Sequence, residues 1–383
     1  MKSVIKRWIR AGLERIPLIS SIRRRSANIQ LSIEELERRG QAHVRQLLLP
    51  ARFQREPPFN RENFQGISEA PFFGRSFRES KEQWLSPVSI VTVYGGTVLT
   101  HRDPWGNHFY AVFGQNHKLL PILGTNLCPE HAAQAEKTPK ALEIESVGWF
   151  LEWWATNHFH WLARILPKAF LLRQLCPDIP LLIPSCNLLD RVKRDSLVAV
   201  GATESVWLEA DVTMPLRAKS ITYVQADASD PRLQRDMRTQ ILTYLGFESC
   251  NARRRVYVSR ESAKWRRIVN EPALIDMLCS LGFEVVKCEL LSFADQVRIF
   301  SHAEIIVGAH GAGLANIMFS PEGSKVVEIA HPDWPSPDYY ILAANLGHKY
   351  AIEFGAPSRT ASPAYDDIRV DLACLRLTLV SLF

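Results

Sequence analysis

Apolar and polar positions follow two different patterns along this chain, and the change falls near Gly148. Residues 31 to 87 have little periodicity and are rich in Arg, Glu, Pro and Phe, which predicts a helix followed by irregular, partly wrapping structure. The stretch "PVSIVTVYGGTVLTHRD" predicts two short strands turning at Gly95-Gly96, because paired glycines between β-branched runs are a hairpin signal. "NHFYAVF" predicts a further strand. Beyond Gly148 short apolar runs alternate with segments of helical period. "HFHWLARILPKAFLLRQL" predicts a helix kinked or broken at Pro167, "PLLIP", "ESVWLEA" and "SITYV" predict strands, and "DPRLQRDMRTQILTYLGF" a long helix that joins two domains.

The alternation is clearest in the second half. "RRVYVSR", "EVVKCE", "EIIVGA", "SKVVEIA" and "KYAIEF" read as strands. Between them lie helices with start and stop signals: Asn270 and Pro272 before "ALIDMLCSLGF", with Gly282 after it, and Ser292 before "FADQVRIFSHA". Strands and helices in this order imply a parallel sheet covered on both faces. The expected fold is α/β, with two domains and a ligand cleft between them at the carboxyl ends of the strands. The expected divisions are a basic amphipathic segment over 1–30, a first domain over 31–230 with a β-rich stretch at 85–115, a second domain over 231–365, and a C-terminal helix over 366–383.

Composition narrows the partners. With 383 residues, 46% of them hydrophobic, the chain can build two cores. A net charge of +6 suits a phosphate-bearing ligand or an anionic membrane surface, and lacks the dense basic stripe of a nucleic-acid protein. Seven scattered cysteines without a C-x-x-C pair argue against a disulfide framework or a zinc site and suit a reducing compartment. No apolar run reaches the ~18 residues of a membrane span. The start is amphipathic. Val4, Ile5, Trp8, Ile9, Leu13 and Ile16 share a face, Lys2, Lys6, Arg7, Arg10 and Arg15 lie off it, and Arg23 to Arg25 follow. Such a segment either lies in a membrane interface or packs on its own protein.

Three clusters carry candidate chemistry. In "GAHGAGLANIMF" a strand gives way to glycines and then to helix formers, so His310, Gly311, Ala312, Gly313, Leu314 and Asn316 stand where free helix amides can hold an anion. The alternative is a tight turn needing positive φ, with His310 structural. In "VYVSRESAKWRRIVNE", Ser259 and Arg260 end a strand and Lys264, Arg266 and Arg267 follow, a counter-charge for a diphosphate or a solvated basic loop. Glu328, at the end of "KVVEIA", is placed to accept ribose hydroxyls or to cap a loop. In "TNHFHWLARILPK", His158 and His160 are candidates for proton transfer, or structural residues; no acidic or thiol group stands at metal-ligand spacing. The absence of G-x-G-x-x-G disfavours a dinucleotide oxidoreductase.

Taken in order, these clusters resemble glycosyltransferase family 61. The matching segments are "NHFHWLARILPK", "VYVSRESAKWRRIVNE" and "LLSFADQVRIFSHAEIIVGAHGAGLANIMFSPEGSKVVEIA", within about Gly148 to Phe383. The resemblance implies a GT-B-like arrangement, two Rossmann-like domains with parallel sheets facing across a cleft. It implies inverting, metal-independent transfer from a nucleotide sugar, taken to be a UDP-sugar, with no other cofactor. The donor would be held by Ser259, Arg260, Arg267, His310, Gly311, Ala312, Gly313, Leu314, Asn316 and Glu328. Catalysis would rest on His160, with His158 second. The bacterial capsular and exopolysaccharide branch would supply a glycan or glycolipid acceptor and a cytoplasmic site peripheral to the inner face of the membrane. One departure stands out: Arg164 occupies a position where the family usually has an acidic residue. It keeps open an alternative, a catalytically silent nucleotide-sugar-binding partner in a polysaccharide assembly complex.

Overall fold

The computed structural model describes residues 32–60, 76–102, 108–115, 141–185, 188–211, 214–247, 253–359 and 362–382, with a few single positions between 119 and 131. The amphipathic segment expected over 1–30 lies outside the described residues. In the first half the strands are β1 (Ala42–Leu48), β2 (Ala51–Gln54), β3 (Glu82–Leu85), β4 (Val88–Arg102), β5 (His108–Gly114), β6 (Leu142–Trp149), β7 (Leu181–Ser185), β8 (Trp207–Asp211) and β9 (Leu216–Gln225). Those of the second half are β10 (Arg254–Val258), β11 (Phe283–Val286), β12 (Ala303–Ala309), β13 (Lys325–Ala330), β14 (Lys349–Phe354), β15 (Ala356–Pro357) and β16 (Ile368–Arg369).

The first sheet runs β1-β4-β9-β6-β7-β8, with β5 also on β4. It is mixed: β4 pairs antiparallel with β1, β5 and β9, whereas β9, β6, β7 and β8 pair in parallel. The expectation of two parallel, Rossmann-like sheets therefore fails for the first half. The expected hairpin at Gly95-Gly96 is also absent. β4 is one strand of 15 residues, and the glycines mark where its edge partner changes from β1, paired up to Val93, to β5, paired from Gly96. Gly95 takes φ 68°, and a Cβ at Gly96 would stand 2.6 Å from Ile221 and 2.8 Å from the Phe113 carbonyl.

The proline in the histidine segment acts as expected. The helix starts at His158–His160, widens to a π turn over Trp161–Ile165 and resumes over Leu166–Leu175. Pro167 has no amide to offer the Ala163 carbonyl, and the buried Gln234 side chain donates to that carbonyl at 2.8 Å instead.

The second sheet is wholly parallel, ordered β11-β10-β12-β13-β14. One face, with Tyr257, Ile305, Val307 and Val327, is covered by Leu274 and Leu278 of the helix Glu271–Ser280 and by Leu375 and Leu379 of the helix Leu372–Val380. The opposite face, with Val256, Val258, Ile306 and Val326, packs under Phe293, Val297, Leu314 and Leu342. That core continues into Trp161, Leu166, Met237 and Ile241 of the first half. A shared helical layer thus joins the two sheets. Chain direction reverses its march across the second sheet between β10 and β12, and ligands of such sheets bind at the carboxyl ends flanking that point. Among the described residues, no helix is long and apolar enough to cross a membrane.

Candidate functional site

The chain leaves β10 through Ser259 and Arg260 and leaves the adjoining β12 through His310 and Gly311. The Arg260 guanidinium lies directly over Gly311: a Cβ there would be 1.7 Å from its Nη1. Gly311 is extended, φ 179°, so the glycine is required for space, and the alternative of a positive-φ turn does not hold there. Gly313 packs less closely, its virtual Cβ 3.1 Å from Val258 and 3.5 Å from the Cys288 sulfur. The segment Ala312–Phe319 is a 3₁₀ helix, whose first turn closes with Leu314 N–H donating to the Gly311 carbonyl at 2.9 Å. The amides of Ala312 and Gly313, both half-buried, precede any intrahelical acceptor.

Two arginines converge here. Arg260 donates to the carbonyls of Arg266 and Trp265 at 3.2 and 2.8 Å. Arg266, which adopts φ 56°, donates to the carbonyls of His310 and Ala364 at 3.0 and 2.9 Å and lies 5.3 Å over the Trp334 ring. Among the described residues neither guanidinium has a carboxylate within ion-pair distance. Burial lowers the pKa of both, and the positive charge of Arg266 lowers that of Arg260 further. Left-handed φ is costly for a side-chain-bearing residue, by about 1–3 kcal/mol, and is held here by those hydrogen bonds.

Several expected donor ligands are used internally. Arg267 turns away and pairs with Asp367, whose Oδ2 accepts from Nε at 3.2 Å and from Nη2 at 2.9 Å. The residue facing the glycine turn is its neighbour Arg266, which the sequence places in the same basic loop but which was not among the expected donor ligands. Ser259 is buried, and its hydroxyl donates to Glu271 at 2.8 Å; the same carboxylate oxygen accepts from Tyr257 at 2.8 Å and from the Arg260 amide at 3.3 Å. Leu314 and Asn316 are wholly buried, with the Asn316 amide donating to Gln296 and to the Gly313 carbonyl. Glu328 has no exposed surface, so it cannot reach a ribose: one oxygen meets His310 Nδ1 at 2.5 Å and the other accepts from the Tyr350 hydroxyl at 2.5 Å. Its strand alternation puts it on the face that joins the common core, which its position at a strand end did not reveal.

The histidine segment meets this site through aromatic contacts. Asn157 caps it, accepting from the Phe159 and His160 amides. The Phe159 ring stands 5.1 Å from Tyr339, which stands 5.1 Å from His310 and donates its hydroxyl to the Gly311 carbonyl. Arg164 pairs with Asp338 at 3.2 Å, so a carboxylate does occupy this neighbourhood, supplied from the other half of the chain. His160 stacks on Trp154, ring centroids 5.8 Å apart, and remains partly exposed. His158 points elsewhere. Burial and the charge of Lys193 push its pKa down to about 4, against the opposing charge of Asp190. Its Nε2 is buried, as is the Nδ1 of His160, so burial of one ring nitrogen does not choose between the two histidines as proton acceptor. Among the described residues, no group of three His, Cys, Asp or Glu side chains is gathered as a metal ion needs.

The family comparison falls on the same stretch of chain. Residues 158–327 match the family described as Glycosyltransferase 61. The EGF domain-specific O-linked N-acetylglucosamine transferase of Rattus norvegicus is 33% identical over 110 residues, 27% of this chain and 20% of that protein. Its Mus musculus counterpart is 36% identical over the same length. A beta-1,2-xylosyltransferase of Arabidopsis thaliana is 29% identical over 111 residues, 26% of this chain and 21% of that one. The chain thus spans about a fifth of the length of these curated relatives. They are animal and plant enzymes, and do not point to the bacterial capsular branch expected above. The matched span begins at His158, includes the arginine loop and the glycine turn, and stops one residue before Glu328. The similarity to that family thus falls on the span that holds the histidine segment, the arginine loop and the glycine turn.

Proposed function

We propose that this chain transfers a sugar from a nucleotide-sugar donor, a UDP-sugar, to a glycan or glycolipid acceptor, with inversion and without a metal ion. The observation that carries the donor part is the pair of half-buried arginines, Arg260 and Arg266, whose hydrogen bonds among the described residues go to carbonyls alone, beside the amides of Ala312 and Gly313. Positive charge held this way favours an anion with several oxygens, and a diphosphate fits both the forked guanidinium donors and these amides. In the reaction the bond from the anomeric carbon to the phosphate oxygen breaks, and its electron pair stays on the departing diphosphate. The arginines and amides are oriented to accept that charge without reorganising. The acceptor hydroxyl attacks from the opposite face and gives its proton to His160. The sugar-transferring relatives support the reaction class.

Titration of the full chain with UDP, GDP and CDP tests the donor part. Arg266→Ala is expected to weaken the preferred nucleotide by one to two decades, the cost of a charge-assisted contact worth ~1.5–3 kcal/mol. Arg267→Ala is expected to leave it nearly unchanged. Equal affinities in wild type and Arg266→Ala would sink the assignment. Transfer is expected to survive EDTA, and His160→Ala to lower turnover ~10²–10⁴-fold with donor affinity kept.

The basic amphipathic sequence of residues 1 to 25 supports placing the enzyme at an anionic, cytoplasmic membrane face in surface-polysaccharide synthesis. Deleting it is expected to abolish binding to anionic vesicles while sparing nucleotide binding. A second reading, a silent donor-binding partner, is favoured by Arg164, whose charge engages Asp338. Slow hydrolysis of the donor by the purified chain would exclude it.

A further inference from the structure

We infer that Trp265 and Tyr365 form a platform on which the base of the donor nucleotide stacks. This inference rests on the donor reading above and adds a second subsite to it, at residues outside both the glycine turn and the arginine pair. Its ground is an aromatic pair that the fold leaves uncovered. Trp265 is 42% exposed and Tyr365 51%, and their rings meet at a centroid distance of 5.1 Å and an angle of 49°. A single exposed ring is ordinary at a protein surface. Two rings in contact, brought together from loops far apart in sequence, make a flat apolar surface that a planar π ligand can extend.

The backbone on either side ties this pair to the phosphate site. The Trp265 carbonyl accepts from Arg260 Nη2 at 2.8 Å, and the carbonyl of Ala364, the residue before Tyr365, accepts from Arg266 Nη1 at 2.9 Å. The two guanidiniums that the donor reading gives to the diphosphate therefore also fix the two bends that display the rings. At Arg266 the left-handed φ of 56° sends the guanidinium inward to the His310 carbonyl while Trp265, one residue earlier, stays at the surface. The second bend is held on its far side as well. The Tyr365 amide donates to the Ser362 carbonyl at 2.8 Å, and the buried Asp366 carboxylate accepts from the Ser358 hydroxyl at 2.7 Å and the Arg359 amide at 2.6 Å. Rings carried on bends fixed in this way have little backbone freedom to lose on binding. Lys264 lies over the indole at 4.9 Å, an exposed cation–π contact that is weak and easily exchanged. In a nucleoside diphosphate one sugar ring separates the base from the phosphates. A base site must therefore adjoin the phosphate site and yet be distinct from it, and the aromatic pair meets both conditions. Every base has a π face, so stacking is the contact these two residues can give it.

Calorimetric titration of the full chain with UDP, GDP and CDP, and with inorganic pyrophosphate, separates the base from the phosphates. For the tightest of the three nucleotides, Trp265→Ala is expected to weaken binding about tenfold and Tyr365→Ala by a smaller factor, with pyrophosphate affinity unchanged in both. Both side chains are exposed, and neither substitution removes a carbonyl that holds Arg260 or Arg266. Arg266→Ala is expected to weaken nucleotide and pyrophosphate alike. The nucleotide is further expected to quench indole emission, with most of the quench lost in Trp265→Phe while binding persists. Unchanged nucleotide affinity in Trp265→Ala overturns the inference, and leaves the donor reading standing where Arg266→Ala still weakens the nucleotide. A loss in Trp265→Ala that is equal for nucleotide and pyrophosphate also overturns it, by tracing the effect to a displaced phosphate site. So does a quench of the same size in wild type and Trp265→Phe. Failure of the three nucleotides and of pyrophosphate to bind overturns the donor reading and this inference together.

Discussion

At Gly311 a single methyl group decides whether Arg260 can lie where it does. The virtual Cβ falls 1.7 Å from Nη1, far inside contact distance, while the backbone itself is in a region any residue can adopt. Gly311→Ala is therefore expected to fold and to displace the guanidinium, lowering nucleotide diphosphate affinity about tenfold or more, as measured by titration calorimetry. If Gly311→Ala binds as the wild type does, Arg260 is not a ligand. The contrast between Arg266 and Arg267 belongs to the same scale. Arg267 is the more exposed and is engaged with Asp367, so Arg267→Ala is expected to cost only ~0.2–1 kcal/mol of stability in urea unfolding, as exposed pairs do. Sequence alone places both arginines in one basic loop. What separates them is the left-handed φ of 56° at Arg266, which reverses the direction of successive side chains and is set by tertiary hydrogen bonds to His310 and Ala364.

At the scale of elements, the widened turn at Trp161–Ile165 depends on a residue more than sixty positions away. Gln234 donates to the Ala163 carbonyl and accepts from Asn345 at 2.8 Å, so it links the histidine segment, the helix Pro231–Leu245 and the helix that carries Tyr339. Gln234→Leu would take the side-chain donor from the Ala163 carbonyl and one of two acceptors from the Asn345 amide, which keeps the Ser229 carbonyl. The expected loss is ~1–3 kcal/mol, read from the midpoint of urea denaturation with the slope unchanged. The break at Pro167 was legible because proline's missing amide is a local fact; the group that compensates for it was not, because it arrives through packing. The same distinction runs through the fold. The five strands and flanking helices of the second half follow from hydrophobic period, caps and glycine stops, and their order places Arg260 and His310 on one edge. Gly95-Gly96 misled because a hairpin and a change of edge partner need the same permissive residue, and only the pairing of β1 and β5 tells them apart. Glu328 misled for a related reason: a strand end is where ligands bind, yet alternation turned this side chain under His310.

Across the whole molecule, the shared core makes stability sensitive to two histidines that fold uncharged. His158 and His348 are both pushed down to about 4, chiefly by burial, from an ordinary value near 6.5. His348 further meets the positive field of Arg238, and its Nε2 lies 2.9 Å from the Ile317 carbonyl, behind the 3₁₀ helix of the glycine motif. Above about pH 6.5 both rings are neutral whether the chain is folded or unfolded, and they add no pH dependence. As pH falls from there toward 4, the unfolded chain binds protons that the folded chain refuses, so stability declines through that window. Each ring is expected to contribute at most about 3 kcal/mol by pH 4, the equivalent of its shift. The Asp190 carboxyl, whose folded pKa is lowered by its hydrogen bonds with Lys193 although burial opposes them, contributes below the ordinary carboxylate value and so falls outside the window. Thermal unfolding of the full chain at half-unit steps from pH 7.5 to 4.5 is expected to show a flat region and then a steep fall beginning near pH 6.5. His348→Gln, which keeps a side-chain donor for Ile317 and gains no proton, is expected to reduce the slope without steepening it elsewhere. A wild-type midpoint that stays level down to pH 4.5 would show that these rings are protonated in the folded chain, and that the joint between its halves is open to water.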